Sequence, residues 1–188
     1  MVWGWQGKAV RLTPLDRGRH LENAVRWLND SEVTQWTVLG DLPVTRLAEE
    51  EYFAKAEAGQ DDTVSFAVET LEGDHIGFTG LHGIEQRNGV ALTGSFIGRR
   101  DVWSHGLGTD AAEVRTNYAF EVLGLRLLLA EVMAENVGSL RMLAKAGYQQ
   151  VGRIPERYWK RGMFRDQILM CRRRTAPPRI LDIPTRRI

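Results

Sequence analysis

The stretch SFIGRRDVWSHGLGTD, residues 95–110, carries a strand that ends at Gly98, a loop, and then Gly106 and Gly108 opening a helix whose first turn holds Thr109. Glycines at such a junction let successive backbone amides turn into one concavity and approach a ligand closely. The helix terminus adds its unpaired N–H groups and the positive end of its dipole. Together these features suit a diphosphate. The spacing is not the dinucleotide fingerprint, which needs a third glycine and an acidic residue further on, and there is no Gly-Lys-Ser/Thr of a P-loop. A tight strand-to-helix turn explains the same glycines, so the surroundings decide the meaning.

Downstream, Ala111, Val114, Tyr118, Ala119 and Val122 recur at helical spacing and predict a helix over residues 109–123, closed by Gly124. Residues 126–134 contain the apolar run LLLA and read as a buried central strand. A short helix from Gly138 to Gly147 precedes two strands, residues 148–157 and 164–172, with a turn at Arg161-Gly162. Upstream, residues 8–15 alternate like a strand, and Leu21, Ala24, Val25 and Leu28 form a helical stripe over 19–29. Thr45 caps a second helix that stops at Gly59. Strands follow over 63–70, 75–86 and 90–98, the last two joined at Arg87-Asn88-Gly89. The order βααβββαβαββ predicts an α+β single domain with a mixed sheet.

Composition bounds the function. The chain has 188 residues, enough for a sizeable core without disulfides, and its single cysteine, Cys171, excludes a disulfide framework or a cysteine-rich zinc site. His20, His75, His82 and His105 fall in no metal-ligand spacing, so no metal is expected. No apolar run approaches the ~20 residues of a membrane span and no signal-peptide pattern opens the chain. A cytoplasmic protein is expected. From Arg172 onward six arginines face Asp182 alone, a balance of +5, which leaves −4 on the first 171 residues. A mildly acidic body argues against nucleic acid as a partner. Residues 1–172 are expected to form the domain and 173–188 a basic, proline-containing tail, read as a solvated terminus.

The run HGLGTDAAEVRTNYAFEVLGL (105–125), a strand, and AENVGSLRMLAKAGYQQVGRI (134–154) resemble the GCN5-related N-acetyltransferases (GNAT). Gly106, Gly108 and Thr109 match the family's phosphate loop, and Asn136, Ser139, Gly147 and Tyr148 match its second half. VRLTPL, RWLNDSEVTQW and GMFRDQILM look like the branch typified by the ribosomal-protein alanine/serine N-acetyltransferases (RimJ/RimL-like). The likeness spans about Gly7 to Arg172.

The resemblance implies a mostly antiparallel sheet flanked by about four helices, with the fourth and fifth strands (90–98 and 126–134) splayed apart. It implies acetyl-CoA as co-substrate, with Phe96, Ile97 and Gly98 on one lip of the gap and Ala134, Glu135 and Asn136 on the other. The pyrophosphate would rest on His105, Gly106, Leu107, Gly108 and Thr109, and Met142 would join the cofactor set. Acetyl would pass to a primary amine of a peptide N-terminus or small molecule, by direct attack on the thioester, in a monomer or homodimer. Cys171 reads as a core thiol rather than a nucleophile.

Departures from the family bear on the chemistry. Trp103 stands where many members carry Gln or Arg, and Leu143 where many carry a tyrosine acid. Ser139 shares a helical face with Leu143, and a serine there is assigned the acid role in this branch, with Asn136 beside it. Capping of the helix after Asn136 is the alternative role for Ser139. Residues 90–98 hold no carboxylate, so the base is open among Glu69, Glu85, Asp101, Glu131, His82 and a relaying water. Trp27, Trp36, Tyr52, Phe53, Tyr158 and Trp159 either wall an acceptor pocket or belong to the core. Trp36, Glu85 and Tyr158 are the substrate-binding expectation, with Glu32 or Glu156 near a cationic amine. A catalytically weak acetyl-CoA-binding regulatory or scaffolding domain is the rival reading.

Overall fold

The computed structural model describes residues 5–38 and 41–175. Asp16 caps α1 (Arg17–Leu28) by accepting from Arg19 N, and Thr45 caps α2 (Arg46–Ala58) by accepting from Ala48 N. Each cap satisfies an amide that the helix itself cannot. The chain then forms β3 (Val64–Thr70), β4 (His75–Glu85) and β5 (Val90–Ile97), after β1 (Trp5–Gln6) and β2 (Val10–Pro14). A 3-10 turn at Arg100–Val102 leads into α3 (Leu107–Glu121), followed by β6 (Leu127–Met133), α4 (Val137–Lys145), β7 (Gln149–Lys160) and β8 (Met163–Arg173).

Among the described residues all eight strands lie in one sheet, ordered β1-β2-β3-β4-β5-β6-β8-β7, and only β5–β6 is parallel. The expected α+β architecture with four helices is therefore present. Seven strands were expected. The eighth is β1, two residues paired with β2 at Trp5↔Leu12, too short to alternate visibly.

α3 and α4 cover one face, where Ala112, Ala119, Phe120, Leu128, Ala130 and Leu143 share a buried cluster. α1 and α2 cover the other, with Leu21, Ala24 and Phe53 packed on Phe78. Under α1 lies a charged network that periodicity cannot reveal. Glu69, fully buried, accepts from Arg11 Nε at 3.0 Å and pairs with Arg19 and His20 Nε2. His20 Nδ1 accepts the Asp16 amide at 3.0 Å, so Nε2 carries the proton it donates to Glu69. Burial opposes ionisation of Glu69, but His20, Arg11 and Arg19 outweigh it and hold the carboxyl below its ordinary range. Glu69, a candidate base by sequence, is thus committed to the fold.

The first turn of α3 is anchored by Asp110. Its carboxylate accepts from the amides of Lys8, Ala9 and Val10 at 3.1, 2.7 and 3.0 Å. The start of β2 and the start of α3 are thereby locked together. The tail expected over 173–188 lies, from residue 176 on, outside the described residues.

Candidate active site

Parallel pairing between β5 and β6 runs from Val90↔Leu127 to Thr93↔Ala130 and stops. Beyond that rung Gly94–Ile97 stays on β4, as far as Gly77↔Ile97, while Glu131–Met133 stays on β8, as far as Met133↔Gln167. The sheet is split between two strands that each keep one neighbour. Phe96, Ile97 and Gly98 form one lip, and the other runs on through Ala134 and Glu135 to Asn136.

Gly98 is a glycine for a packing reason. A Cβ there would stand 1.9 Å from Trp27 Cδ2, so the indole of α1 occupies the side-chain space. Phe96 turns to the same face, its ring 5.4 Å from Phe78 and 6.5 Å from Trp27. The Ile97 carbonyl accepts the Trp103 indole N–H at 2.8 Å, which pins the following loop to the lip.

That loop delivers the α3 terminus. Ser104 has φ 67 and Gly106 φ 84, a left-handed step that suits glycine at the cap position. No side chain caps this helix. With no side-chain cap, the first-turn amides of α3 are left without a side-chain acceptor among the described residues, and nothing lies within 4 Å of where a Gly106 Cβ would be. At Gly108 a Cβ would only touch Ile97 Cγ1 at 3.6 Å and Met142 Cγ at 3.7 Å, which puts β5, α3 and α4 side by side. Leu107 and Thr109 are half-buried in the same turn, and His105 is exposed. An uncapped, glycine-opened helix end beside a split sheet fits a pyrophosphate followed by an extended amide-bearing arm.

Asn136, not Ser139, caps α4: its side-chain oxygen accepts the Ser139 amide at 3.0 Å. The capping role considered for Ser139 is corrected, and its hydroxyl has no hydrogen-bond partner among the described residues. Leu143, one turn on, is buried in the core.

On the α1/α2 face, Trp36 and Tyr158 come together through Arg165. The Arg165 guanidinium lies 5.6 Å above the Trp36 ring and donates to Glu135 at 3.1 Å, and Arg165 is the cross-strand partner of Tyr158. The Tyr158 hydroxyl donates to Glu131 at 2.9 Å, and burial together with that bond pushes it up to about 12. Glu131 is the first β6 residue past the last rung.

Other expected members lie elsewhere. Glu85 pairs with Val90 at the β4–β5 turn, the closed end of the pairing, and accepts from Asn88. Asp101 binds Arg99, Glu32 binds Arg100, and the Glu156 amide donates to Asp166. Phe53 is core, Tyr52 meets Ser65, and Trp159 meets Phe164 edge-to-face at the hairpin tip. Among the described residues no three His, Cys, Asp or Glu side chains form a metal group, and Cys171 is buried. A groove of about 410 Å³ between β1 and α3 runs along that helix from Asp110 in its first turn to Val122 at its end.

Sequence reasoning missed Arg115. It is 1% exposed and donates to Thr79 Oγ1 at 2.9 Å, the Gly94 carbonyl at 3.2 Å, Ser95 and Tyr148. No carboxylate pairs with it among the described residues, and its Nε has no partner. The available signal was its spacing: four residues from both Ala111 and Ala119, on the buried stripe.

Residues 9–149 match the model of the acetyltransferase (GNAT) domain family. An uncharacterized N-acetyltransferase p20 of Bacillus licheniformis is 32% identical over 94 residues, 50% of this chain and 52% of that one. A probable N-acetyltransferase YjcK of Bacillus subtilis (strain 168) is 32% identical over 115 residues, 60% and 62% of the two chains. The chain thus spans about half to three fifths of these relatives. The fold is similar to Vibrio cholerae spermidine N-acetyltransferase in complex with CoA and spermine, with TM-score 0.79, 20% identity and coverage of 87% and 95%. It is also similar to Mycobacterium smegmatis RimJ in complex with CoA-disulfide, with TM-score 0.77, 18% identity and coverage of 87% and 81%. With the family model matched over residues 9–149, most of its length, the chain belongs to the acetyltransferase (GNAT) domain family.

Proposed function

We propose that the chain transfers an acetyl group from acetyl-CoA to an amine at the β5–β6 split, with residues 1–172 sufficient for the activity. The observation that carries this reading is the end of parallel pairing at Thr93↔Ala130 beside the uncapped terminus of α3. Acetyl-CoA, when bound, supplies a thioester whose acyl carbon an amine can attack directly. His105, Gly106, Leu107, Gly108 and Thr109 would hold its pyrophosphate on their amides, while Phe96, Ile97, Gly98 and Asn136 line its arm and Met142 packs beside Gly108. Ser139, whose hydroxyl has no hydrogen-bond partner among the described residues, would give the leaving sulfur its proton. Trp36 and Tyr158 wall the acceptor side, where the Glu131 carboxylate attracts a cationic amine. Relatives solved with CoA, one of them with spermine, support the choice of co-substrate and of an amine acceptor.

A second reading is favoured by Leu143, which cannot donate a proton: a domain that binds acetyl-CoA and turns it over weakly. Thiol release from acetyl-CoA, with spermidine and a Ser-terminated peptide as acceptors and mass analysis of the products, separates the two. Acetyl transfer predicts thiol in step with acetylated acceptor. CoA binding with no turnover on any acceptor supports the second reading.

A further inference from the structure

His82 is the one imidazole at the split, and two glycines make its place. On β4, Gly80 and His82 alternate to the α1/α2 face with Phe78, and Gly80 pairs with Gly94 while His82 pairs with Leu92 of β5. A Cβ on Gly94 would stand 3.4 Å from His82 Nε2, and one on Gly80 would stand 3.5 Å from the same nitrogen. The ring therefore leans over both glycines, across the strand boundary, with Nε2 nearest the sheet at Gly94. Gly94 is the first residue of β5 past the last parallel rung, Thr93↔Ala130. Neither ring nitrogen has a hydrogen-bond partner among the described residues, and the side chain is half-buried. His20 and His75 have both nitrogens engaged, and His105 is exposed before α3.

We propose that His82 Nε2 takes the proton of the acceptor amine, as general base of the acetyl transfer set out above, on which this assignment rests. As the nitrogen–carbon bond forms and the carbon–sulfur bond breaks, the nitrogen gives its proton to Nε2, which later releases it to solvent. The sulfur leaves with a proton from Ser139, whose oxygen regains one from water. The balance is one amide and one thiol for each amine and thioester, with no other reactant.

The charges around the ring suit this role. Burial lowers the His82 pKa, and the Arg115 guanidinium on the α3 side of the sheet lowers it further, against an opposing pull from Asp62 before β3. Tyr52 of α2 meets Ser65, the β3 partner of Gly80, while Glu131 with Tyr158 stands across the split and Glu85 lies three residues along β4. The imidazole is therefore neutral at neutral pH, and its capacity to accept a proton is lost as pH falls through its lowered value.

The test is kcat/KM for thiol release from acetyl-CoA, with spermidine and a Ser-terminated peptide, across pH 5 to 9 for wild type, His82→Gln and His82→Ala. CoA affinity is measured alongside by calorimetry. The expected result is a loss of roughly 10²–10⁴-fold in both variants with CoA affinity unchanged, and loss of the acidic limb of the profile. Added imidazole should restore rate to His82→Ala and not speed the wild type. A His82→Ala protein that binds CoA and keeps both rate and acidic limb overturns the assignment while leaving acetyl transfer standing. Should that variant unfold, full rate in His82→Gln overturns it equally. Wild type that releases no thiol with either acceptor overturns acetyl transfer itself, and His82 with it.

Discussion

Capping of α4, which the sequence offers as the alternative role for Ser139, falls to Asn136, and the acid role is the one proposed for Ser139. The Asn136 oxygen holds an amide at the start of α4, so Asn136→Ala should cost about 1 kcal/mol of stability, the usual worth of a cap. Ser139→Ala removes no cap. It should leave the melting temperature near wild type, leave CoA affinity unchanged and lower kcat roughly 10²–10⁴-fold. Melting curves and steady-state kinetics on the two variants check both statements, and a destabilised, fully active Ser139→Ala would reverse the assignment. Single residues were legible where their reason is local. Gly106 announces a left-handed cap because few other residues adopt it. Gly98 reads from the sequence as part of a lip of the cofactor gap, yet its side-chain space is filled by Trp27, 71 residues earlier in the chain and adjacent only in the fold. Arg115 looks like a solvated helix charge until its spacing from Ala111 and Ala119 is taken seriously.

The elements were legible in proportion to their periodicity. β6 with its apolar run, α1 with its stripe and the β4–β5 hairpin at Asn88-Gly89 all lie where local pattern puts them. The two-residue β1 has no pattern to read, and Val122, counted in the α3 stripe, is 49% exposed just past the last turn. The tie that sets α3 in place is likewise nonlocal. Asp110 accepts three amides from residues about a hundred positions away. Charge-assisted bonds of this kind are worth about 1.5–3 kcal/mol each, less than additively when they share one carboxylate. Asp110→Ala should therefore destabilise the protein by about 2–4 kcal/mol in urea titrations, with Asp110→Asn between. The α3 terminus should loosen with it, so CoA affinity in Asp110→Ala is expected to fall as well. Unchanged stability would mean that β2 and α3 hold their relation without this carboxylate.

At the scale of the whole molecule, folding buries a set of groups that resist acid unequally. His75 Nε2 donates to the Gly77 carbonyl and Nδ1 accepts from Asn23, so the ring is held neutral, and burial first and then His20 lower it to about 4. Unfolded, the same histidine takes up its proton near 6.5. The unfolded chain thus binds more protons between those values, and stability present above about pH 6.5 is lost on the way down to about 4. His75 alone accounts for on the order of 3 kcal/mol, and the lowered His20 adds in the same direction. Glu69 then removes more as pH falls through its depressed value below the ordinary carboxylate range. Urea midpoints at about pH 7 and pH 4.5 should fall steeply in wild type and less in His75→Gln, and a flat wild-type response would contradict the neutral, buried pair. Above this framework stands the claim that the split sheet and the open end of α3 form one cofactor site. Calorimetric titration of CoA into wild type, Gly106→Val and Gly108→Val tests it most directly. Gly108 has no left-handed φ and only ordinary contacts around its missing Cβ, so a loss there is not a loss of backbone strain. The account predicts saturable one-to-one binding by wild type and severe weakening in both variants at unchanged helix content. Two folded valine variants that bind CoA as the wild type does would contradict it.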